Sequence, residues 1–220
     1  MTVLPDGPVV GVILAGGLAR RMGGGNKCLL EVGGQTLLAH VIDRIAPQVD
    51  QLVLNVNSDL AGFQAFGLPV VKDLVEGHAG PLAGMLTGLT WTRDHLPASR
   101  WVLSVAADTP FVPRVLVRRL MSAARRENAP LALARSGGRR HPVFALCSIG
   151  LRDDLERAVV AEGIRKVTGW TDRHPVAYAD FPVTPFDPFF NINTDDDLKA
   201  AEDLVRFDDA DTEGHDGKSA

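Results

Sequence analysis

The chain has 220 residues, 45% hydrophobic and 23% charged, the proportions of a globular domain with a substantial core and not of a disordered chain. A net charge of −4 argues against general nucleic-acid binding, which needs a basic field, and two cysteines give no disulfide framework and fit a reducing cytoplasm. No apolar stretch approaches membrane-spanning length, and Met1 to Pro8 lacks the apolar core of a signal peptide, so the expectation is a cytoplasmic protein with neither a membrane nor a nucleic-acid partner.

Val9, Val10, Val12, Ile13 and Leu14 form a short, largely β-branched run that reads as a buried parallel strand. It breaks at Gly16-Gly17. Five glycines (16, 17, 23, 24 and 25) then share a loop with Arg20, Arg21 and Lys27. A glycine-rich, cation-bearing loop after a first strand points to phosphate binding, with N–H groups turned inward and fixed charges facing oxygens. Two common phosphate loops are excluded. Lys27 lies between Asn26 and Cys28, which breaks the Gly-Lys-Ser/Thr ending of a P-loop, and no spacing of the glycines gives G-x-G-x-x-G opening into a helix. A plain surface loop with solvated arginines is the alternative. Cys28 invites a lowered thiol pKa from its cationic neighbours, against the plainer reading of a small buried side chain.

Further along, Thr36 is placed to cap a helix with the apolar stripe Leu37, Leu38, Val41, Ile42 and Ile45, ended by Pro47. Gln51 to Val56 reads as the second strand, with Asn55 near its end. Pro69-Val70-Val71 is a short third strand ending at Asp73. Gly80-Pro81 opens a helix through about Thr92, Trp101 to Ala106 forms the fourth strand, and Asp108 follows at once. Pro113 opens an amphipathic helix with Leu116, Leu120 and Ala124 inward and Arg118, Arg119, Arg125 and Arg126 on a solvated face. Leu131 to Ala134, a Gly137-Gly138 turn and Pro142 to Leu146 predict a β-hairpin. Two helical stretches follow, near 151–161 and 164–170, then a strand at Val176 to Tyr178. The segment 181–190 carries Pro182, Pro185 and Pro188 and reads as extended loop. Asp195 is placed to cap a last helix over about 196–206. The acidic tail 207–220 is too polar to pack and is expected to be disordered, so 1–206 reads as one α/β domain with no internal repeat.

In open α/β sheets, ligands bind beyond the carboxyl ends of the parallel strands. The glycine loop, Asn55, Asp73 and Asp108 each follow a predicted strand, so they should meet at one edge. There Asp108 is a candidate ligand for Mg²⁺, against an ordinary turn-capping role before Thr109-Pro110. Lys27 is the candidate phosphate clamp, with Arg20 and Arg21 as alternatives. Arg139, Arg140 and His141 could take an anionic group, although a solvated hairpin turn explains the arginines equally simply. The histidines show no shared metal-ligand spacing, and the three tryptophans read as core.

The run Leu14-Ala-Gly-Gly17, with Arg21-Met-Gly-Gly24 and Lys27, resembles the signature of nucleotidyltransferases that activate sugar phosphates and related substrates. Asn55, Asp73, Gly80-Pro-Leu-Ala-Gly-Met85, Asp108-Thr-Pro110, His141-Pro142 and Asn191-Ile-Asn-Thr194 occur in the order of one branch, the molybdenum cofactor guanylyltransferases. The match spans about residues 9–205. One departure is Asn26, where the family usually has Asp, which removes a negative charge beside the loop. The resemblance implies a three-layer, Rossmann-like α/β nucleotidyltransferase fold with a mostly parallel central sheet. It also implies Mg²⁺-dependent transfer of GMP from GTP to molybdopterin with release of pyrophosphate. Lys27, Asp108 and Arg21 would be catalytic. Backbone groups of Leu14, Ala15 and Gly16, with Asn55 and Asp73, would hold guanine and ribose, and Asn191 and Asn193 would lie near the pterin. Transient contact with molybdoenzymes or cofactor-handling proteins is a further implication. The alternatives are a cytidylyltransferase for the same pterin, a sugar-phosphate nucleotidyltransferase, and a non-catalytic nucleotide-binding adaptor.

Overall fold

The structure is a computed structural model and describes residues 7–16, 26–57, 60–75 and 80–215. The strands are β1 (Val9–Leu14), β2 (Glu31–Val32), β3 (Gln35–Thr36), β4 (Gln51–Asn55), β5 (Val70–Val71), β6 (Trp101–Ala106), β7 (Leu131–Ser136), β8 (Arg139–Ser148) and β9 (Val176–Phe181). The helices are α1 (Leu37–Ile45), α2 (Leu60–Gln64), α3 (Pro81–His95), α4 (Leu116–Glu127), α5 (Arg152–Glu156), α6 (Val167–Thr171) and α7 (Asp195–His215).

Seven strands form one sheet in the order β5-β4-β1-β6-β8-β7-β9. The first four run parallel, β8 is antiparallel to both β6 and β7, and β9 returns parallel to β7. The apolar runs of β1, β4 and β6 are buried on both faces, as a parallel sheet between helices requires. One face packs Ile13, Leu54 and Leu103 with Leu38, Val41 and Ile45 of α1 and Leu116, Leu120 and Ala124 of α4. The other packs Val10, Val12 and Val53 with Leu82, Leu86 and Leu89 of α3, Leu155 of α5 and Trp170 of α6. This gives the three-layer α/β architecture with a mostly parallel sheet.

Local chemistry accounts for several boundaries. The Thr36 hydroxyl accepts the Ala39 N–H at 3.1 Å and so caps α1. Gly33-Gly34 and Gly137-Gly138 both turn with positive φ (58° and 76°; 52° and 78°), the two-residue geometry that joins β2 to β3 and β7 to β8 without splaying the strands. Helix α3 is buried on almost every side, which its two glycines permit. A Cβ on Gly88 would fall 2.4 Å from Cγ2 of Val12, and one on Gly84 would fall 2.4 Å from Oδ1 of Asn55 and 2.7 Å from Cδ2 of Leu14. The helix backbone therefore lies directly on the ends of β1 and β4.

Several features differ from the sequence expectations. The hairpin β2–β3 and the short α2 are additional elements, and β8 and β9 run longer than their apolar cores. Helix α4 begins at Leu116, one turn beyond Pro113, whose carbonyl accepts the Leu116 N–H at 3.1 Å. Helix α7 continues to His215, into the stretch expected to be disordered, because no proline interrupts it and its first glycine is Gly214. Thr194 caps that helix instead of Asp195. Its hydroxyl accepts the Asp197 N–H at 3.1 Å while the Asp197 carboxylate accepts the Thr194 N–H at 2.9 Å, a reciprocal capping box.

Gly88→Ala tests the close approach of α3. Alanine raises intrinsic helix propensity by about 1 kcal/mol, yet overpacking against Val12 costs about 1–3 kcal/mol. Urea unfolding should therefore show a net loss of stability; a gain would mean that α3 has room to move away from β1.

Candidate active site

The parallel strands end on a cleft of about 330 Å³. Beyond the strand ends the backbones stay in register: Ala15 N–H donates to the Asn55 carbonyl at 2.8 Å, Ala107 N–H to Leu14 at 3.2 Å, and Val56 N–H to Val71 at 2.9 Å. This continued pairing brings Leu14, Ala15, Gly16, Asn55, Asp73 and Asp108 to one wall-and-floor surface, with Lys27 and Asn191 beside them.

Lys27 is the centre of the cationic end. It opens a 3₁₀ turn, Lys27–Leu29, and is only 8% exposed. Its ammonium donates to Asp108 Oδ2 at 2.7 Å, Asn193 Oδ1 at 2.7 Å and Asn191 Oδ1 at 3.2 Å. An ammonium has three donors, so the group is saturated by one carboxylate and two neutral amides. Burying a lysine charge is tolerable only with such partners. The second carboxylate oxygen of Asp108, Oδ1, is buried with no hydrogen-bond partner among the described residues.

At the opposite end the Asp73 carboxylate is held by two amides, Oδ1 by Asn55 at 2.9 Å and Oδ2 by Asn57 at 2.8 Å. Asn57 also accepts the Asp73 backbone N–H at 3.0 Å, which closes a ring between the two residues. The second helical turn of α3 is tied to the same end, since the Leu74 N–H donates to the Thr87 hydroxyl at 3.0 Å. Asn57 has no counterpart in the sequence expectations. Its only signal was a second asparagine two residues after Asn55, past the strand end.

Arg21 and Arg20, expected as phosphate clamps, lie outside the described residues. Arg140 pairs with Asp172 at 2.9 Å and reaches the Tyr178 hydroxyl at 3.3 Å; neither it nor Arg139 lines the cleft. His141 is 9% exposed, hydrogen-bonded to Ser136 at 2.6 Å and stacked on Phe189, with ring centroids 4.4 Å apart. Burial holds its pKa below the usual histidine value, partly offset by the Asp187 carboxylate. Cys28 is likewise not activated. Burial pushes its thiol up to about 12, and the nearby Asp108 charge works in the same direction, outweighing Lys27. Trp101 and Trp170 are core residues as expected, whereas Trp91 is only partly buried at the edge of the core.

The chain matches the MobA-like NTP transferase domain model over residues 11–176. It is 56% identical to the molybdenum cofactor guanylyltransferase of Bradyrhizobium sp. (strain ORS 278) over 211 residues, 96% of this chain and 100% of that protein. Among solved structures, molybdopterin-guanine dinucleotide biosynthesis protein A from Archaeoglobus fulgidus is similar, with TM-score 0.69 and 26% identity over 90% of this chain and 98% of that one. A Mycobacterium tuberculosis H37Rv protein solved in complex with manganese shares the fold, with TM-score 0.66 and 22% identity over 90% of this chain and 100% of that one.

Both cysteines are buried, and Cys147 is also pushed up to about 12 by burial. Thiol titration of the folded protein at about pH 8 should find no fast-reacting group, and titration in denaturant should find two, since thiolate fraction sets the rate. One fast thiol in the folded protein would contradict the burial of Cys28.

Proposed function

The chain belongs to the molybdenum cofactor guanylyltransferases, within the MobA-like NTP transferases, and from that membership we propose which residues carry the transfer of GMP from GTP to molybdopterin. The enzyme is a nucleotidyltransferase that joins the two substrates into the guanine dinucleotide form of the cofactor and releases pyrophosphate. The observation that carries the residue assignment is Lys27, a buried ammonium on the cleft wall with two of its three partners uncharged. Neutral amides orient the group without cancelling its charge. A phosphate oxygen of GTP takes over one donor, and the longest bond, to Asn191 Oδ1 at 3.2 Å, is the one displaced.

The nucleophile is the terminal phosphate of molybdopterin, attacking the α-phosphorus of GTP with pyrophosphate leaving. An anionic phosphate needs no general base, so the protein's work is to align the groups and neutralise charge as it develops on the leaving oxygens. Lys27 does this at the phosphates, with Arg21 as a second cation from the glycine loop. Leu14, Ala15 and Gly16 offer backbone groups along the cleft wall, while Asn55 and Asp73 supply a polar edge for guanine and ribose. The Asp73 carboxylate is fixed by Asn55 and Asn57 before the nucleotide arrives, which removes the cost of ordering it.

Asp108 also fits a divalent cation. Its Oδ1 is buried and unpartnered, and among the described residues no set of three or more His, Cys, Asp or Glu forms a closed cage. A single carboxylate completed by phosphate oxygens and water is how Mg²⁺ is commonly held, and we assign Mg²⁺ to Asp108. When bound, the ion would neutralise charge on the phosphate oxygens. The M. tuberculosis protein of the same fold was solved in complex with manganese, which supports the use of a divalent ion.

Calorimetry with GTP, CTP, ATP and UTP in Mg²⁺ should show selective GTP binding; preference for CTP or UTP would transfer the reading to a sibling enzyme. Lys27→Ala should lower the rate of transfer by about 10²–10³-fold, the usual consequence of losing one preorganised donor. Asp108→Asn removes the metal-binding charge while keeping an oxygen toward Lys27, and should abolish Mg²⁺-dependent pyrophosphate release. Parental rates in either variant would remove that residue from the chemistry.

A further inference from the structure

Asn191 and Asn193 reach Lys27 from the segment 182–194, which joins β9 to α7 and has no secondary structure of its own. Between Phe181 and the Asp108 contact it is fixed by one polar cluster. At the end of β7 Ser136, 2% exposed, donates its hydroxyl to Asp187 Oδ1 at 2.8 Å. The same oxygen accepts the Phe189 N–H at 3.0 Å, and the Asp187 carbonyl accepts the Phe190 N–H at 3.1 Å. With its one proton given to the carboxylate, Ser136 accepts from His141 Nε2, so that ring nitrogen carries a proton. The His141 ring then lies flat on Phe189 at 4.4 Å and 22°, and Phe189 meets Phe144 and Phe181 edge-on. Beyond the cluster, Ile192 donates to the Asp108 carbonyl at 3.1 Å and is fully buried.

We infer that Ser136 and Asp187, backed by His141, are positioning residues that anchor this segment so that Asn191 and Asn193 hold the Lys27 ammonium in place. None of the three lines the nucleotide cleft. Their effect travels through backbone: Asp187 fixes Phe189, Phe189 is seated on His141, and two residues on Asn191 meets Lys27. A serine and an aspartate 51 positions apart are thereby coupled to a lysine more than 100 residues upstream.

The inference rests on the functional reading above, and the test separates the two. Ser136→Ala, Asp187→Ala and Asp187→Asn are compared in the full chain by hydrogen exchange, steady-state transfer and urea unfolding. Ser136→Ala and Asp187→Ala should accelerate amide exchange across 186–194 by about tenfold or more, with other core segments unchanged. Both should lower kcat by about tenfold while KM for GTP stays within about threefold, the pattern of lost alignment and not of lost binding. Asp187→Asn keeps an oxygen acceptor for Ser136 and Phe189 and should behave like the parent in both measurements. Unchanged exchange in Ser136→Ala overturns the anchor. Faster exchange with parental kcat overturns its role in positioning Lys27, and an Asp187→Asn defect equal to Asp187→Ala overturns the hydrogen bond as its basis. A parent protein that transfers no GMP would instead refute the functional reading, with the exchange data still deciding whether the anchor exists.

Discussion

One buried ammonium ties together three parts of the chain that are far apart in sequence. Lys27 comes from the turn after the glycine loop, Asp108 from the end of β6, and Asn191 and Asn193 from the segment before α7. A lysine charge this deep is stable only with all of its donors engaged. The fold therefore has to deliver two amide oxygens and one carboxylate oxygen to the same point. Much of the surrounding architecture serves that requirement. The parallel pairing of β1 with β6 sets Asp108 beside the first strand end, the Asp108 carbonyl holds Ile192, and the Thr194–Asp197 capping box turns the chain out of the site into α7.

The Asp73 end of the cleft is organised by a different constraint, space. Because Gly84 and Gly88 carry no Cβ, α3 lies directly against Leu14, Asn55 and Val12, and Pro81 at its start lines the cleft. Asp73 is held there by Asn55 and Asn57, which fixes the carboxylate at the cleft edge. A cation with largely neutral partners at one end and an anchored polar edge at the other suit an extended, polyanionic nucleotide.

The parts of this arrangement legible in the sequence were those with local causes. β1, β4 and β6 are continuous apolar runs, the Thr36 cap and the Gly137-Gly138 turn are short-range signals, and Asn55, Asp73 and Asp108 stand out because each follows a strand. The parts that were not legible depend on contacts between distant segments. A two-residue strand such as β2 has no periodicity to detect. The acidic composition of the tail masked a stretch without a helix breaker before Gly214. Asn57 becomes informative only when β4 and β5 are side by side. Ser136, His141 and Asp187 sit on two strands and an irregular segment, and Arg139, Arg140 and His141 together suggested contact with an anionic group where the fold instead pairs Arg140 with Asp172 and buries the imidazole against Phe189. Arg21, the remaining cation expected at the phosphates, lies outside the described residues.

The central claim is that this cleft moves the GMP portion of GTP onto the pterin phosphate. The most direct measurement supplies molybdopterin together with GTP labelled at either the α- or the γ-phosphate, and follows where each label goes. The account predicts that the α-label appears in the guanine dinucleotide product and the γ-label in pyrophosphate. A γ-label on the pterin, or an α-label that never leaves free nucleotide, would contradict it.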